Sequence, residues 1–274
     1  MSTRWSRAPL DRPWILGHRG ARSLAPENTL PSFQLALDLG ADGIELDLHL
    51  SQDGVAVVHH DESLMRCTDA PQRWPSRAPW SIESFTAREL AELDAACAFS
   101  GALPPGRYHV PTLDEVLAAL VPRGALLDLE LKTIPLAHAG LLERVLESIQ
   151  RAGAEAQVLL SSFDHQLLRR AGELAPEIPR GVLSAERLVD AAAYVREAVG
   201  AQIFLPGAAG ACAALPTQTS RGFDRAGVAR EIERCHAAGV LVVPWTVNDP
   251  AQQRALLELG VDGLCTDDPR VAGR

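Results

Sequence analysis

Gly43-Ile44-Glu45-Leu46-Asp47-Leu48 and Leu126-Leu127-Asp128-Leu129-Glu130-Leu131 decide the fold. Each is a short apolar run with carboxylates at every second residue. In a strand, side chains i and i+2 leave on the same face. Glu45 and Asp47 therefore converge on one spot, as do Asp128 and Glu130, while Ile and Leu fill the other face. Strands this rich in aliphatic residues belong to a sheet enclosed on both sides.

Working outward, residues 14–16, 158–161, 181–183, 202–205, 241–245 and 261–265 form six more such runs. Between them lie stretches of helical period. The first starts at Thr29, a plausible N-cap, with Pro31 just inside and Phe33 and Leu37 on its inner face, and stops at Gly40. Others cover 112–120, 141–152, 165–174, 185–199, 224–238 and 250–259. Gly153, Gly239 and Gly260 stop three of them. Strand-helix alternation repeated about eight times predicts an α/β chain with the (β/α)8 TIM barrel over residues 14–270. A doubly wound open sheet is the competing topology.

Two segments break the rhythm. Residues 61–111 far exceed an ordinary βα loop. They read as an inserted subdomain on the C-terminal face of the barrel, with a short helical pattern at 87–93. Its Trp74, Trp80, Ile82, Phe85 and Phe99 read as a small satellite core, the alternative being an apolar groove for a lipid chain. Residues 206–222, rich in Gly, Ala and Thr, read as a mobile loop.

Composition narrows the class. The 274 residues are 47% hydrophobic and 22% charged, which excludes disordered and collagenous chains. A net charge of -9 excludes a wide nucleic-acid footprint. No apolar run approaches the roughly 18 residues of a membrane span. The stretch after Arg4, Arg7 and Arg12 is too short for a signal peptide. The five cysteines are scattered, with no CxxC pair, which argues against a disulfide framework or a zinc-thiolate site. The expectation is a reduced, cytoplasmic protein acting on a small molecule without stable membrane insertion, and compatible with a homo-oligomer.

The chemistry gathers where the strands end, at one rim of a barrel. Several inward carboxylates buried without partners would cost several kcal/mol each. A divalent cation removes that cost, and oxygen ligands without clustered Cys select Mg²⁺ or Ca²⁺. Glu45, Asp47 and Glu130 are the candidate ligands, the alternative being plain ion pairs with Arg19 or Lys132. Lys132 is the only lysine in the chain, as if the site wanted a compact ammonium. His18 and His60 are the acid–base candidates, with His59 as the confounder. His49, His109, His138, His165 and His236 are assigned structural or solvated roles. Trp245 either covers the apolar part of a substrate or packs the barrel.

His18-Arg19-Gly20, Pro26-Glu27-Asn28-Thr29, Glu45-x-Asp47, Asp53-Gly54, His60-Asp61, Glu130-x-Lys132, Trp245-Thr246-Val247-Asn248 and Thr266-Asp267-x-Pro269 together resemble the glycerophosphodiester phosphodiesterases, bacterial cytoplasmic type. The resemblance runs from about residue 15 to 269. It implies a TIM barrel with a small insertion after strand two, and metal-dependent hydrolysis of glycerophosphodiesters to glycerol 3-phosphate and an alcohol. It also implies residue roles. His18 and His60 match the paired general acid and base, and Glu45, Asp47 and Glu130 the metal ligands. Arg19 and Lys132 match residues near the phosphate, and Trp245 an aromatic on the glycerol side. Such a site, with a divalent cation, three carboxylates and two basic side chains, carries one net positive charge. That suits a monoanionic diester. Water and the neighbouring glycerol hydroxyl are both open as nucleophile. A lysophospholipase D-like enzyme and a non-catalytic barrel that captures a phosphorylated ligand are the competing functions.

Overall fold

The computed structural model describes residues 3–5, 12–103, 106–135, 137–209, 212–215 and 223–271. Eight parallel strands follow one another around a barrel: β1 (Trp14–His18), β2 (Gly43–Leu50), β3 (Leu126–Leu131), β4 (Val158–Ser162), β5 (Arg180–Ser184), β6 (Ile203–Pro206), β7 (Leu241–Val242) and β8 (Gly263–Thr266). β8 pairs with β1. The β7–β8 seam is closed by Asp262 N–H to the Val242 carbonyl and Cys265 N–H to the Pro244 carbonyl, each 2.9 Å. The fold is the expected TIM barrel and not an open sheet.

Among the described residues, a helix follows each of β1 to β7. Helix α1 (Leu30–Asp38) starts at Thr29, whose hydroxyl accepts from Ser32 N–H. Phe33 and Ala36 form its buried face, and Leu37 is only partly covered. The helix Leu141–Ala152 buries Leu142, Val145 and Ile149 on one stripe and ends at left-handed Gly153. The segment 185–199 is less helical than its periodicity suggests. Asp190 caps the helix late, and only Ala191–Ala193 is α-helical before a π turn over Tyr194–Val199. The helix starts where its cap is: Asp190 accepts from Ala193 N–H at 3.1 Å.

Outward-facing Ile44, Leu46, Leu127 and Leu129 pack under the helices, each contributing roughly 1.5–3 kcal/mol by its burial. Inside the barrel a separate core joins Trp14, Leu16, Leu126, Leu159, Ile203 and Val243. Trp5 enters this core from the segment before β1. It is 2% exposed, lies edge-on to Trp14, and its Nε1 donates to the Gln157 carbonyl at 2.8 Å. The segment ahead of β1 thus closes the N-terminal end of the barrel.

At the other end the chain grows. A short strand, Ala56–Val58, turns back antiparallel on β2, with Leu48 opposite Val58. It leads into segment 61–111, which holds the helices Ala70–Arg73 and Ala87–Leu90 and the 3-10 turns Pro75–Arg77 and Ile82–Ser84. Val57, Leu64, Ile82, Phe85, Leu90 and Leu93 form a satellite core, with Trp74 and Trp80 packed against it. Phe99 is not part of that cluster. Within 206–222, Ala208–Ala209 and Cys212–Ala213 form a small hairpin, Ala214 and Leu215 are buried, and residues 210–211 and 216–222 lie outside the described residues. Among the described residues, no helix is long and apolar enough to cross a membrane.

Candidate active site

Strand register assembles the site. His18 lies opposite Glu45, Glu45 opposite Asp128, and Asp47 opposite Glu130. Glu45, Asp47 and Glu130 are all buried, and one oxygen from each lies within 4.8 Å of the others. Burial, then the charges of Asp47 and Glu130, pushes the Glu45 carboxyl well up. Burial also raises Glu130, with Lys132 opposing. Burial acts on Asp47 too, but Arg19 and Lys132 outweigh it and hold this carboxyl well below its ordinary range. Asp128 is pushed up to about 7 by burial, and accepts from Ser161 Oγ at 2.6 Å instead of joining a salt bridge.

Two basic groups thread this cluster. Lys132 Nζ is 2.9 Å from Glu130 Oε1 and 3.5 Å from Asp47 Oδ1. Arg19 donates its main-chain N–H to Glu45 Oε2 at 3.0 Å, and its Nε lies 3.3 Å from Asp47 Oδ2. Reaching both requires a left-handed backbone at Arg19, φ 53°. Gly20 next to it, φ 89°, has no room for a Cβ, which would meet Ser32 Oγ at 2.4 Å. That explains Gly after His18-Arg19 physically: the turn must lie flat on α1. Asn28 Nδ2 donates to Asp47 Oδ2 at 2.8 Å. Asn28 Oδ1 and Asp47 Oδ1 are buried and have no hydrogen-bond partner among the described residues.

Those orphaned oxygens, with three carboxylates of which two are raised, fit a hard divalent cation. The ion pairs with Arg19 and Lys132 are also present. Those pairs alone do not neutralise the cluster, because two cations face four inward carboxylates.

Two histidines flank the cluster. His18 Nδ1 donates to Asp267 Oδ1 at 2.6 Å, and its Nε2 lies 3.9 Å from Glu45 Oε2. Burial lowers its pKa, and the Asp267 hydrogen bond opposes that. His60 Nδ1 bonds Asp61 Oδ1 at 2.5 Å. Its ring lines the same cavity as His18, whereas His59 is buried with Nε2 3.4 Å from the Ser63 carbonyl. Asp61 is gripped in turn by Arg66, which also reaches Glu27, itself bonded to Arg19 and Arg22.

The opposite wall is apolar: Phe163, Leu183, Leu205, Trp245 and Cys265. Trp245 stands edge-on to Phe163 with ring centroids 5.6 Å apart, and its Nε1 donates to the Leu205 carbonyl at 2.8 Å. The cavity between the walls holds about 130 Å³, the size class of a small organic ligand.

Sequence reading passed over several partners. Asp267 lies 249 residues from His18, so only the fold joins them. Asn248 fixes it completely. Its Oδ1 accepts from Asp267 N–H (2.9 Å) and Thr266 Oγ (3.1 Å), and its Nδ2 donates to Asp267 Oδ2 (2.8 Å). His49 did carry a signal, since the i, i+2 rule that aligned Glu45 and Asp47 extends to it. His109 and His236 pair with Glu115 and Asp262, and His165 with Tyr194.

The model of the glycerophosphoryl diester phosphodiesterase family matches residues 18–271. A glycerophosphodiester phosphodiesterase of Bacillus altitudinis is 34% identical over 257 residues, covering 93% of this chain and 94% of that protein. One from Caldanaerobacter subterraneus subsp. tengcongensis is 32% identical over 257 residues, with the same coverage. Among solved structures, an Oleispira antarctica phosphodiesterase in complex with the product sn-glycerol-3-phosphate superimposes with a TM-score of 0.75. It shares 28% identity and 94% coverage of each chain.

Proposed function

Because this chain belongs to the glycerophosphoryl diester phosphodiesterase family, we propose that it cleaves glycerophosphodiesters with His18 and His60 as its paired acid and base. The observation behind this is geometric. Each histidine spends its Nδ1 on a carboxylate, Asp267 or Asp61, and both rings line one cavity with the three clustered carboxylates. A carboxylate on Nδ1 fixes the tautomer and steadies the imidazolium, leaving Nε2 to exchange a proton with substrate.

One histidine takes the proton of the nucleophile, either water or the neighbouring glycerol hydroxyl, and the other gives a proton to the departing alcohol. Glu45, Asp47 and Glu130 would hold a divalent cation, Mg²⁺ or Ca²⁺, which when bound polarises a phosphoryl oxygen and offsets the charge that develops there. Arg19 and Lys132, set among those carboxylates, orient the phosphate. Their charges grow in value as the phosphorane-like state gains charge, which is the direction catalysis needs. Trp245 and the apolar wall take the carbon skeleton and exclude water. Residues 61–111 act as a subdomain that carries Asp61 and Arg66 to the rim. The product of the Oleispira enzyme, sn-glycerol-3-phosphate, is the product expected here.

The deciding assay is release of glycerol 3-phosphate from glycerophosphocholine in chelator, then with Mg²⁺ and Ca²⁺ added separately. Turnover restored by a metal, and lost by at least about 10²-fold in His18→Ala and His60→Ala, supports the reading. Near-wild-type turnover in both variants refutes the histidine roles.

A lysophospholipase D-like activity has one observation behind it. Met65 and Ile134 are 60% and 64% exposed, and Met65, Trp80 and Pro135 line an open groove in the insertion and the β3 loop. A rate on lysophosphatidylcholine above that on glycerophosphocholine would assign that groove to an acyl chain.

A further inference from the structure

His49 continues the inward face of β2 beyond Asp47 and is 1% exposed. Its Nε2 lies 3.1 Å from the main-chain carbonyl of His60, and its Nδ1 lies 2.8 Å from His138 Nε2. The rings of His49 and His138 meet edge-on at 89°. His138 Nδ1 in turn lies 3.9 Å from Glu83 Oε2, on the Ile82–Ser84 turn of the insertion. Four separate segments meet in this chain.

The protons in it can be assigned, because each link constrains the next. A carbonyl only accepts, so His49 carries its proton on Nε2 and donates to His60. A neutral imidazole has one N–H, and the His60 carbonyl takes it. Its Nδ1 is therefore a bare acceptor, and His138 must donate from Nε2. The second nitrogen of His138 is left facing Glu83.

What the chain grips is the backbone of a residue whose side chain is poorly held by packing. The His60 side chain is 30% exposed. Its bond to Asp61 sets the rotation of the ring. The His49 bond sets where the main chain carrying that ring sits relative to β2, the strand of Glu45 and Asp47. His59 N–H, bonded to the Asp47 carbonyl at 3.0 Å, ends the β2 hairpin just before it.

We propose that His49, with its donor His138, is a positioning residue that holds the His60 backbone in register with the Glu45–Asp47 strand. The proposal rests on the reading of His60 as acid or base. It assigns a use to two histidines that touch no reacting atom.

The test compares His49→Leu, His49→Gln, His138→Leu and the His49→Leu/His138→Leu pair with His60→Ala, on glycerophosphocholine with divalent metal. Leucine removes the donor, whereas the glutamine amide can still donate to the carbonyl. His49→Leu should lower kcat about 10–100-fold, the range for partners that orient working histidines, with KM within about twofold. His49→Gln should recover most of the loss. His138→Leu should lose less than His49→Leu, and the double variant no more. If His49→Leu fails to fold, His138→Leu decides, since His138 lies outside the strands between exposed Ala137 and Ala139, although its own side chain is 3% exposed. Wild-type kcat in the folded leucine variants, with His60→Ala inactive, overturns the proposal and leaves the function intact. A loss that glutamine does not rescue also overturns it, because packing would then explain the effect. A fully active His60→Ala removes the reading beneath it.

Discussion

Replacing Asp267 with Asn is the sharpest probe of the His18 site. The change keeps shape and removes a charge. Asn248 cannot turn to accommodate it, because its Oδ1 already accepts from Asp267 N–H and Thr266 Oγ, which commits its Nδ2 to residue 267. In the variant, the amide oxygen at 267 must face either Asn248 Nδ2 or His18 Nδ1. If it faces Asn248, its NH2 meets His18 Nδ1 and forces the other imidazole tautomer. If it faces His18, two NH2 groups collide at Asn248. A hydrogen bond to a charged group is worth roughly 1.5–3 kcal/mol. At about 1.36 kcal/mol per tenfold, its loss alone slows turnover about 10- to 100-fold. A forced tautomer extends the loss toward about 10⁴, the cost of amidating the orienting carboxylate in serine hydrolase triads. The assay is steady-state release of glycerol 3-phosphate with divalent metal saturating, paired with a thermal midpoint to show that the variant is folded. KM should stay within about twofold. A folded Asp267→Asn enzyme with kcat within twofold of wild type would refute the orienting role.

Other outcomes follow from the same geometry. Mg²⁺ or Ca²⁺ at about 100 times its Kd should raise stability by about 2.7 kcal/mol, read as a thermal shift that Glu45→Gln and Glu130→Gln abolish; equal shifts in wild type and variants would place the ion elsewhere. Trp5→Ala should cost about 3–5 kcal/mol, or roughly 10 °C in Tm at 2–4 °C per kcal/mol, while kcat below the transition stays unchanged because Trp5 sits at the far end of the barrel. Glu27 resists burial because Arg66, Arg19 and Arg22 hold its carboxyl well below the usual range. A depressed folded pKa stabilises above the unfolded value of about 4.3, and that contribution fades as pH falls below it. Glu27→Gln should therefore flatten the acid limb of Tm against pH, and a limb of unchanged steepness would count against the network.

Much of the fold is legible in the sequence because a buried parallel strand leaves a local signature. The runs around Glu45 and Glu130 carry both the alternation and the aliphatic face, so barrel and carboxylate cluster emerge from neighbours in the chain. The same logic reaches His49, and it escaped notice because a lone histidine on a strand has a bland explanation. Which of His59 and His60 enters the cavity is set by the antiparallel turn at Ala56–Val58, whose three residues are too few to announce a strand. Asp267 and Asn248 become partners of His18 only when the barrel closes. Trp5 has no local signature, because the Gln157 carbonyl it donates to and Leu159 in its core lie far along the chain.

The two walls of the cavity also divide along the chain. The polar wall, from His18 to Lys132, is carried on β1 to β3, and the apolar wall, from Phe163 to Cys265, on β4 to β8. On the proposed roles, chemistry and fit fall in separate halves of the chain, joined by the Asp267–His18 bond. A hybrid that keeps residues up to Lys132 and borrows the remainder from a relative should inherit the reaction and exchange the fit to the glycerol side, provided the borrowed half returns an aspartate to His18.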